Sequence, residues 1–156
     1  MEMTIRKYSD ATDRQKVIDL LRLNTPQYFA KEEEDDLIYY FDNHADNYFV
    51  AEIEGQVVGS GGFNLTDDKH LGKISWDIIH PDFQRKGIGL QLLRFRIMRM
   101  KKIVSIVSIS VRTSQHAYLF YEKSGFKLKE VVKDYWAKGF DLYLLDCNIN
   151  RITSDE

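Results

Sequence analysis

Six consecutive residues, Gln84-Arg85-Lys86-Gly87-Ile88-Gly89, set two glycines one residue apart directly behind two cations. An apolar run that stops at His80-Pro81 precedes them and an amphipathic stretch follows. The pattern predicts a strand, a short basic loop and a helix that begins at the glycines. The first N–H groups of a helix have no partner inside it and lie at the positive end of its dipole. Such a place binds anions, and a pyrophosphate fits it. Glycines let phosphates approach the backbone closely, and Arg85 and Lys86 add fixed positive charge. The spacing is not G-x-x-x-x-G-K-[ST], because neither Lys-Ser nor Lys-Thr follows the second glycine. It is not G-x-G-x-x-G, because Leu92 holds the third glycine position. Gly87 and Gly89 alone read as a helix start that binds nothing.

The elements that must carry this loop follow from periodicity. Residues 4–8 form a first strand. Thr12 or Asp13 caps a helix with apolar Val17, Ile18, Leu20, Leu21 and Leu23, stopped at Asn24-Thr25-Pro26. The acidic run Glu32-Glu33-Glu34-Asp35-Asp36 opens a second helix, where carboxylates complement the dipole. Residues 48–53 and 56–63 are strands around the turn Glu54-Gly55, and 72–79 is the next. Residues 87–102 are helical. Residues 103–111, rich in Ile and Val, read as a strand buried on both faces. A short helix over 114–124 ends at Gly125 in a left-handed conformation, and strands 126–133 and 140–147 complete the chain. The order is β-α-α-β-β-β-α-β-α-β-β, an α/β fold with one mixed sheet. The helix 87–102 is a crossover, so the strands on either side of it are parallel. Residues 1–147 read as a single domain and 148–156 as a polar, frayed tail.

Composition narrows the class. A chain of 156 residues with 44% hydrophobic and 29% charged residues has globular rather than disordered character. A formal net charge of −2 gives no argument for a nucleic-acid partner. No apolar run reaches membrane-spanning length, and the N-terminus carries an acid early with no secretory leader, so a cytoplasmic protein with no membrane partner is expected. One cysteine, Cys147, cannot form an intramolecular disulfide, which suits a reducing compartment. The four histidines are far apart and show no metal-ligand spacing, so no metal is expected.

With these elements in place, Gln84 to Gly89 resembles the pattern Q/R-x-x-G-x-G/A of the GNAT superfamily of N-acetyltransferases. Downstream, Ser114-Gln115-His116-Ala117-Tyr118-Leu119-Phe120-Tyr121-Glu122-Lys123-Ser124-Gly125-Phe126 is similar to that family's N-x-x-A-x-x-x-Y-x-x-x-G-F segment. Two motifs at the right separation, inside the right element order over nearly the whole chain, form a specific signal for fold and co-substrate.

The resemblance implies a GNAT-like fold and an acetyl-CoA-dependent transfer of an acetyl group to a primary amine of a small molecule or peptide. It implies that Gln84, Arg85, Lys86, Gly87, Ile88 and Gly89 hold the pyrophosphate of acetyl-CoA. The peptide groups of Ile78 and Ile79, on a strand splayed from its parallel neighbour, would pair with the pantetheine arm; their side chains read as core. Tyr121 matches the tyrosine that protonates the leaving thiolate, a transfer from a phenol near pKa 10 to a thiol near 8.5. Ser114 stands where the family commonly has Asn, and serves as a helix cap and a CoA contact. The family often places a glutamate on the strand before the glycine loop as base. Here that strand reads Lys73-Ile74-Ser75-Trp76-Asp77-Ile78-Ile79, and strict alternation puts Lys73, Ser75, Asp77 and Ile79 on one face. Asp77 is its one carboxylate, read either as base or as an aspartate satisfied by backbone.

The acidic run from Glu32 could draw in a cationic amine or simply be a solvated helix start. Arg94, Arg96, Arg99, Lys101 and Lys102 read as a solvated face near a helix C-terminus, or as a contact for the adenosine 3′-phosphate. Cys147 has no base motif beside it, so direct transfer from thioester to amine is expected. Tyr135-Trp136 and the last strands suit either a homodimer interface or the core. The alternative to an enzyme is a non-catalytic acyl-CoA-binding sensor of the same fold.

Overall fold

A computed structural model describes residues 2–151. In chain order the elements are β1 (Met3–Lys7), α1 (Asp10–Leu23), α2 (Glu33–Asn43), β2 (Tyr48–Ile53), β3 (Gln56–Leu65), β4 (Leu71–Ile79), α3 (Ile88–Lys101), β5 (Ser108–Thr113), α4 (Tyr118–Lys123), β6 (Lys127–Ala137) and β7 (Phe140–Asn148), with short 3-10 turns between some of them. Among the described residues the strands make one seven-stranded sheet in the order β1-β2-β3-β4-β5-β7-β6. The β4–β5 pair is parallel and the others are antiparallel. This is the mixed sheet and element order that the sequence predicts, with α3 as the crossover.

Helices cover both faces. Val17, Ile18 and Leu21 of α1 and Leu37 and Phe41 of α2 pack with Tyr48, Val50 and Ile78 on one side. Leu93, Ile97 and Met100 of α3 pack with Phe49, Phe63, Ile74, Ile109 and Leu145 on the other. Each fully buried aliphatic side chain contributes about 2 kcal/mol of transfer free energy. Because both faces are covered, β2 and β3 are buried almost without interruption, without the alternation of a one-sided sheet.

Several boundaries differ from expectation for tertiary reasons. Helix α1 starts at Asp10, with Ser9 as its N-cap residue, so neither Thr12 nor Asp13 caps it. Asp13 is instead fully buried, accepting from Arg6 and from the Ser9 N–H (2.7 Å). Strand β5 begins at Ser108, the residue that pairs with Leu71 at the start of β4. Residues 103–107 are spent turning from α3 to that register, and Val104 is 98% exposed. Helix α4 begins at Tyr118, and Ser114 accepts from the N–H groups of Ala117 and Tyr118 in the preceding turn. Gly125 has the left-handed φ of +105° that its place after the helix requires. At the other end, Asn148 belongs to β7, and Ile149 is buried in the core; residues 152–156 of the polar tail lie outside the described residues.

Two irregularities in the middle of the sheet shape everything that follows. The β4–β5 ladder covers only Leu71 to Ile74 against Ser108 to Val111, so the two strands part beyond it. In the same half of β4, Ser60 pairs with Ile78 but Gly62 with Ser75, which leaves one extra residue on β4: a β-bulge. Trp76 takes the left-handed conformation there, with φ of +53°. The bulge breaks the expected alternation. Ser75 bonds to Asn64 and Trp76 packs with the α1 and α2 core, while Asp77 turns to α3 and α4. Asp77 therefore does not share a face with Ser75, contrary to strict alternation.

Candidate active site

Where β4 and β5 part, residues from both faces of the sheet line one cleft of about 1160 Å³. The loop into α3 contributes Gln84, Arg85, Gly87, Ile88 and Gly89. The connection between α1 and α2, with α2 itself, contributes Tyr28, Phe29, Glu33 and Tyr40. The floor includes Asp77, Arg96 and Tyr121, and the wall after β5 includes Ser114 and His116.

The glycine loop has the shape its sequence predicts. Gly87 is the N-cap residue of α3 with φ of +84°, and Arg85 before it also has a positive φ of +64°. Gln91 N–H closes an intrahelical bond onto Gly87 O (3.0 Å), so the amides of Ile88, Gly89 and Leu90 lie ahead of that ladder. A Cβ at Gly87 would meet nothing within 4 Å. Gly87 itself lines the cleft, and no packed neighbour stands at that position. Lys86 turns away, its ammonium 5.3 Å from the centre of the Phe83 ring, and it does not line the cleft.

Ile78 faces the α1 and α2 core and is 1% exposed, and its backbone pairs with Ser60 of β3. Ile79 lines the cleft, and its carbonyl accepts from Asn24 Nδ2 (3.0 Å). Asn24 also bonds to Leu20 O, and its Oδ1 accepts from Gln84 Nε2 (3.3 Å). One buried asparagine thus ties the end of α1 to β4 and to the glycine loop. The sequence marks Asn24 only as a helix stop. Ser114 is buried in the cleft wall, and its Oγ accepts from His116 N–H (3.2 Å), capping the turn ahead of α4.

At the floor, Asp77 is doubly engaged. Its Oδ1 accepts from Arg96 Nη1 and its Oδ2 accepts from the Tyr121 hydroxyl. Tyr121 is 4% exposed; burial first, and then the Asp77 charge, hold its pKa well above the ordinary phenol value. Arg96 is fully buried. Its Nε donates to Leu92 O (3.0 Å) and its Nη1 also to Gly62 O (3.0 Å), while Nη2 has no hydrogen-bond partner among the described residues. The basic run on α3 is therefore not one solvated face. Arg99 stacks over Phe49 and Phe95, but Arg96 points into the core.

Gly61 makes this arrangement possible. A Cβ there would come within 2.4 Å of Asp77 Oδ1 and 2.8 Å of Arg96 Nη1. Gly61→Ala must push the ion pair apart, and is expected to destabilise the fold by about 3 kcal/mol, the range seen when a buried pair is broken. Urea unfolding checks this; an unchanged midpoint would show that the pair can shift without loss.

On the α2 side, Glu33 is buried, and its Oε2 accepts from Ala30 N–H (2.7 Å). Burial pushes its carboxyl up to about 7, against the effect of that N–H. Its neighbour Glu34 behaves as the solvated helix start does, pairing with Arg22 at 2.7 Å. Phe29 stacks on Trp76 with centroids 6.2 Å apart, and Tyr40 bonds to Asn64 Oδ1. The acidic run thus divides into one buried carboxyl in the cleft and four with other surroundings. Trp136 also belongs to the cleft wall: its Nε1 donates to Thr113 O (3.1 Å), and Arg112 lies over the rings of Tyr135 and Trp136. Cys147 packs in the core, with its thiol pKa raised by burial, which makes it a poor nucleophile.

The sequence and the fold have counterparts among known proteins. Residues 16–126 match the family model of the acetyltransferase (GNAT) family. An N-alpha-acetyltransferase of Sulfurisphaera tokodaii is 31% identical over 154 aligned positions, spanning 86% of each chain. Among solved structures, Ard1 from Thermoplasma volcanium superposes with a TM-score of 0.78 at 16% identity, over 95% of this chain and 98% of its own. An aminoglycoside 6′-N-acetyltransferase complexed with coenzyme A superposes with a TM-score of 0.75 at 15% identity, over 94% and 97%. The chain belongs to the GNAT acetyltransferase family. It is an N-acetyltransferase rather than a non-catalytic domain of the same fold.

Proposed function

We propose that this protein transfers an acetyl group from acetyl-CoA to the α-amine of a peptide or protein N-terminus. The cleft supports the co-substrate. The left-handed Gly87, the open space where its Cβ would stand and the amides of Ile88 to Leu90 suit a pyrophosphate, with Arg85 beside them. Gln84, Gly89 and Ser114 line the same cleft, as does Ile79 next to the β4–β5 gap. Acetyl-CoA supplies the acyl group already activated as a thioester.

Glu33 carries the choice of acceptor. A protonated amine cannot attack, so a base must take its proton. A peptide α-amine has a pKa of about 7.7–8.0 and a lysine side chain about 10.4. A carboxyl raised to about 7 is matched to the first and far below the second. Glu33 takes one proton from the α-ammonium, the freed amine forms its C–N bond at the thioester carbonyl, and the C–S bond breaks to release CoA, whose sulfur takes up the second amine proton; Phe29 and Trp76 line the acceptor side, and Tyr121 places its hydroxyl at the floor. Asp77, with both oxygens already engaged, orients Tyr121 and is not the base. The name of the Sulfurisphaera relative, an N-alpha-acetyltransferase, agrees with this reading.

The test is direct. Incubating the protein with acetyl-CoA and two peptides, one with a free α-amine and no lysine, the other blocked at its N-terminus and carrying lysine, and reading products by mass spectrometry, should show acetylation of the first alone. Acetylation of the lysine peptide alone would overturn the acceptor assignment.

A further inference from the structure

The cleft continues past the groups that serve the chemistry. Strand β4 runs from Leu71 to Ile79 and leads into the glycine loop, so the pyrophosphate end of the cleft lies beyond Ile79. Lys73 lines the same cleft toward the start of the strand, about 20 Å back along it. Trp76, stacked on Phe29 at the acceptor side, stands between the two. From Trp76 to Lys73 is about 10 Å, the span of about three residues of an extended peptide.

Two cations face this stretch. Ile74 and Val111 sit opposite each other in the β4–β5 ladder, and both belong to the α3 core. By alternation Lys73, one step before, and Arg112, one step after, point to the other side of the sheet. Asn64 fixes which side that is: it is the β3 partner of Lys73, and it bonds to Tyr40 of α2 and to His44 O just after that helix. Lys73 and Arg112 are both exposed, and both line the cleft. Among the described residues Lys73 has no hydrogen-bond or ion-pair partner. Arg112 is held in place. Its guanidinium lies 5.0 Å from the centre of the Tyr135 ring and 5.8 Å from that of Trp136, and its Nη2 donates to the Tyr135 hydroxyl. Its Nε and Nη1 donors have no protein acceptor among the described residues. A guanidinium fixed by stacking, with donors to spare, is suited to a carboxylate. Of the carboxylates that line the cleft, Asp77 is paired with Arg96 and Glu33 is buried, which leaves Asp67, in the β3–β4 turn, as the exposed one. Two exposed cations thus stand against one exposed carboxylate at this end.

We infer that Lys73 and Arg112 form a subsite that selects acidic peptides: with the α-amine at Glu33 and Phe29, acidic side chains at the second to fourth residues lie against these two cations. The pair determines specificity and takes no part in the proton transfers. A basic segment in the same place meets like charge and is rejected. The subsite rests on the α-amine reading for turnover but not for binding.

The experiment uses three peptides that share a first alanine and carry Glu, Gln or Arg at residues two to four. Its first readout needs no turnover. The chain has two tryptophans, Trp76 and Trp136, and both line the cleft, so their fluorescence reports each peptide added to the protein in the presence of CoA. Affinity should fall in the order Glu, Gln, Arg, with Glu about tenfold tighter than Gln at low salt, the reach of two well-placed exposed pairs. The gap should close near 1 M salt, where charges are screened beyond about 3 Å. The second readout is kcat/KM for α-acetylation by mass spectrometry. It should follow the same order through the peptide KM, with the KM for acetyl-CoA equal for all three. Lys73→Glu/Arg112→Glu should reverse the order, a change that a merely structural role of these residues would not produce. If loss of Arg112 disturbs the hairpin between β6 and β7, Lys73→Glu alone, at an exposed side chain without a partner, should remove most of the preference for Glu.

Equal affinity of the wild type for the three peptides overturns the inference. So does an order that persists unchanged in the variants. A double variant that raises the KM for acetyl-CoA and leaves the peptide order alone overturns it too, and gives the two cations to the phosphates of the co-substrate. Peptides that bind in the expected order but are not acetylated overturn the α-amine reading and leave the subsite established.

Discussion

Glu33→Gln is expected to give a protein that is more stable at pH 8 and nearly inactive. The wild-type carboxyl rises from an ordinary 4.5 to about 7 on folding, chiefly through burial. A carboxyl whose pKa is raised in the folded state opposes folding once the unfolded chain would ionise it. That opposition is absent below about pH 4.5, grows as pH rises and is complete above about 7. The wild type therefore gives up as much as about 3 kcal/mol at pH 8. Glutamine keeps an acceptor for Ala30 N–H and carries no charge, so the variant recovers much of this. Its melting temperature should exceed the wild type by on the order of 5–10 °C at pH 8 and match it near pH 4. Its kcat should fall about a hundredfold or more, the usual contribution of a general base. Wild-type kcat/KM should climb with pH through about 7, and that limb should vanish in the variant. Calorimetry at the two pH values and a pH–rate profile check both halves. Equal activity in the two proteins would remove Glu33 from the chemistry, whatever the melting data show.

Gly87→Glu should abolish acetyl-CoA binding while leaving the fold nearly intact. The left-handed φ of +84° strains any residue with a Cβ by about 1–2 kcal/mol. The new side chain meets no protein atom within 4 Å of its Cβ, at a residue that lines the cleft. It would set a carboxylate where the α3 amides favour a phosphate. Acetyl-CoA at a hundred times its Kd should raise wild-type stability by about 2.7 kcal/mol, seen as a higher melting midpoint. The variant should show no rise. Gly87→Ala separates the two effects: it carries the strain without the charge, so it should melt lower in isolation but still respond to ligand. A full ligand response in Gly87→Glu would move the pyrophosphate away from this loop.

Most of the architecture could be read from the chain because its signals are local. The 3.6-residue pattern of Ile88, Leu92, Leu93 and Ile97, the Glu54-Gly55 turn and Gly125 after a helix all act within a few residues. The glycine loop was legible for the same reason. What escaped was set by distant partners. Nothing in Lys73 to Ile79 marks a bulge, since the run fits an ordinary strand; the extra residue shows only in the register against Ser60 and Gly62. Arg96 looks like its neighbours Arg94 and Arg99 until Gly61 and Asp77 are seen across from it. Glu33 is one of five acids in a row, and only the fold decides that this one is buried. The start of β5 followed its pairing with Leu71, not the β-branched run that began at Ile103.

The parting of β4 from β5 also bears on how this protein survives in a crowded solution. Every open sheet has unsatisfied edges, and an exposed edge recruits strands from other chains. Here the side of β4 that loses its β5 ladder beyond Ile74 lies inside the sheet, between β3 and β5, and not at an outer edge. The outer edge strand β6 carries Lys127, Lys129 and Lys133, charges that discourage such pairing. The gap between β4 and β5 thus lies within the sheet, while the charged β6 edge offers little purchase for aggregation. Amides at the gap should exchange with solvent faster than those of the continuous β2–β3 ladder, and slow when the cleft fills.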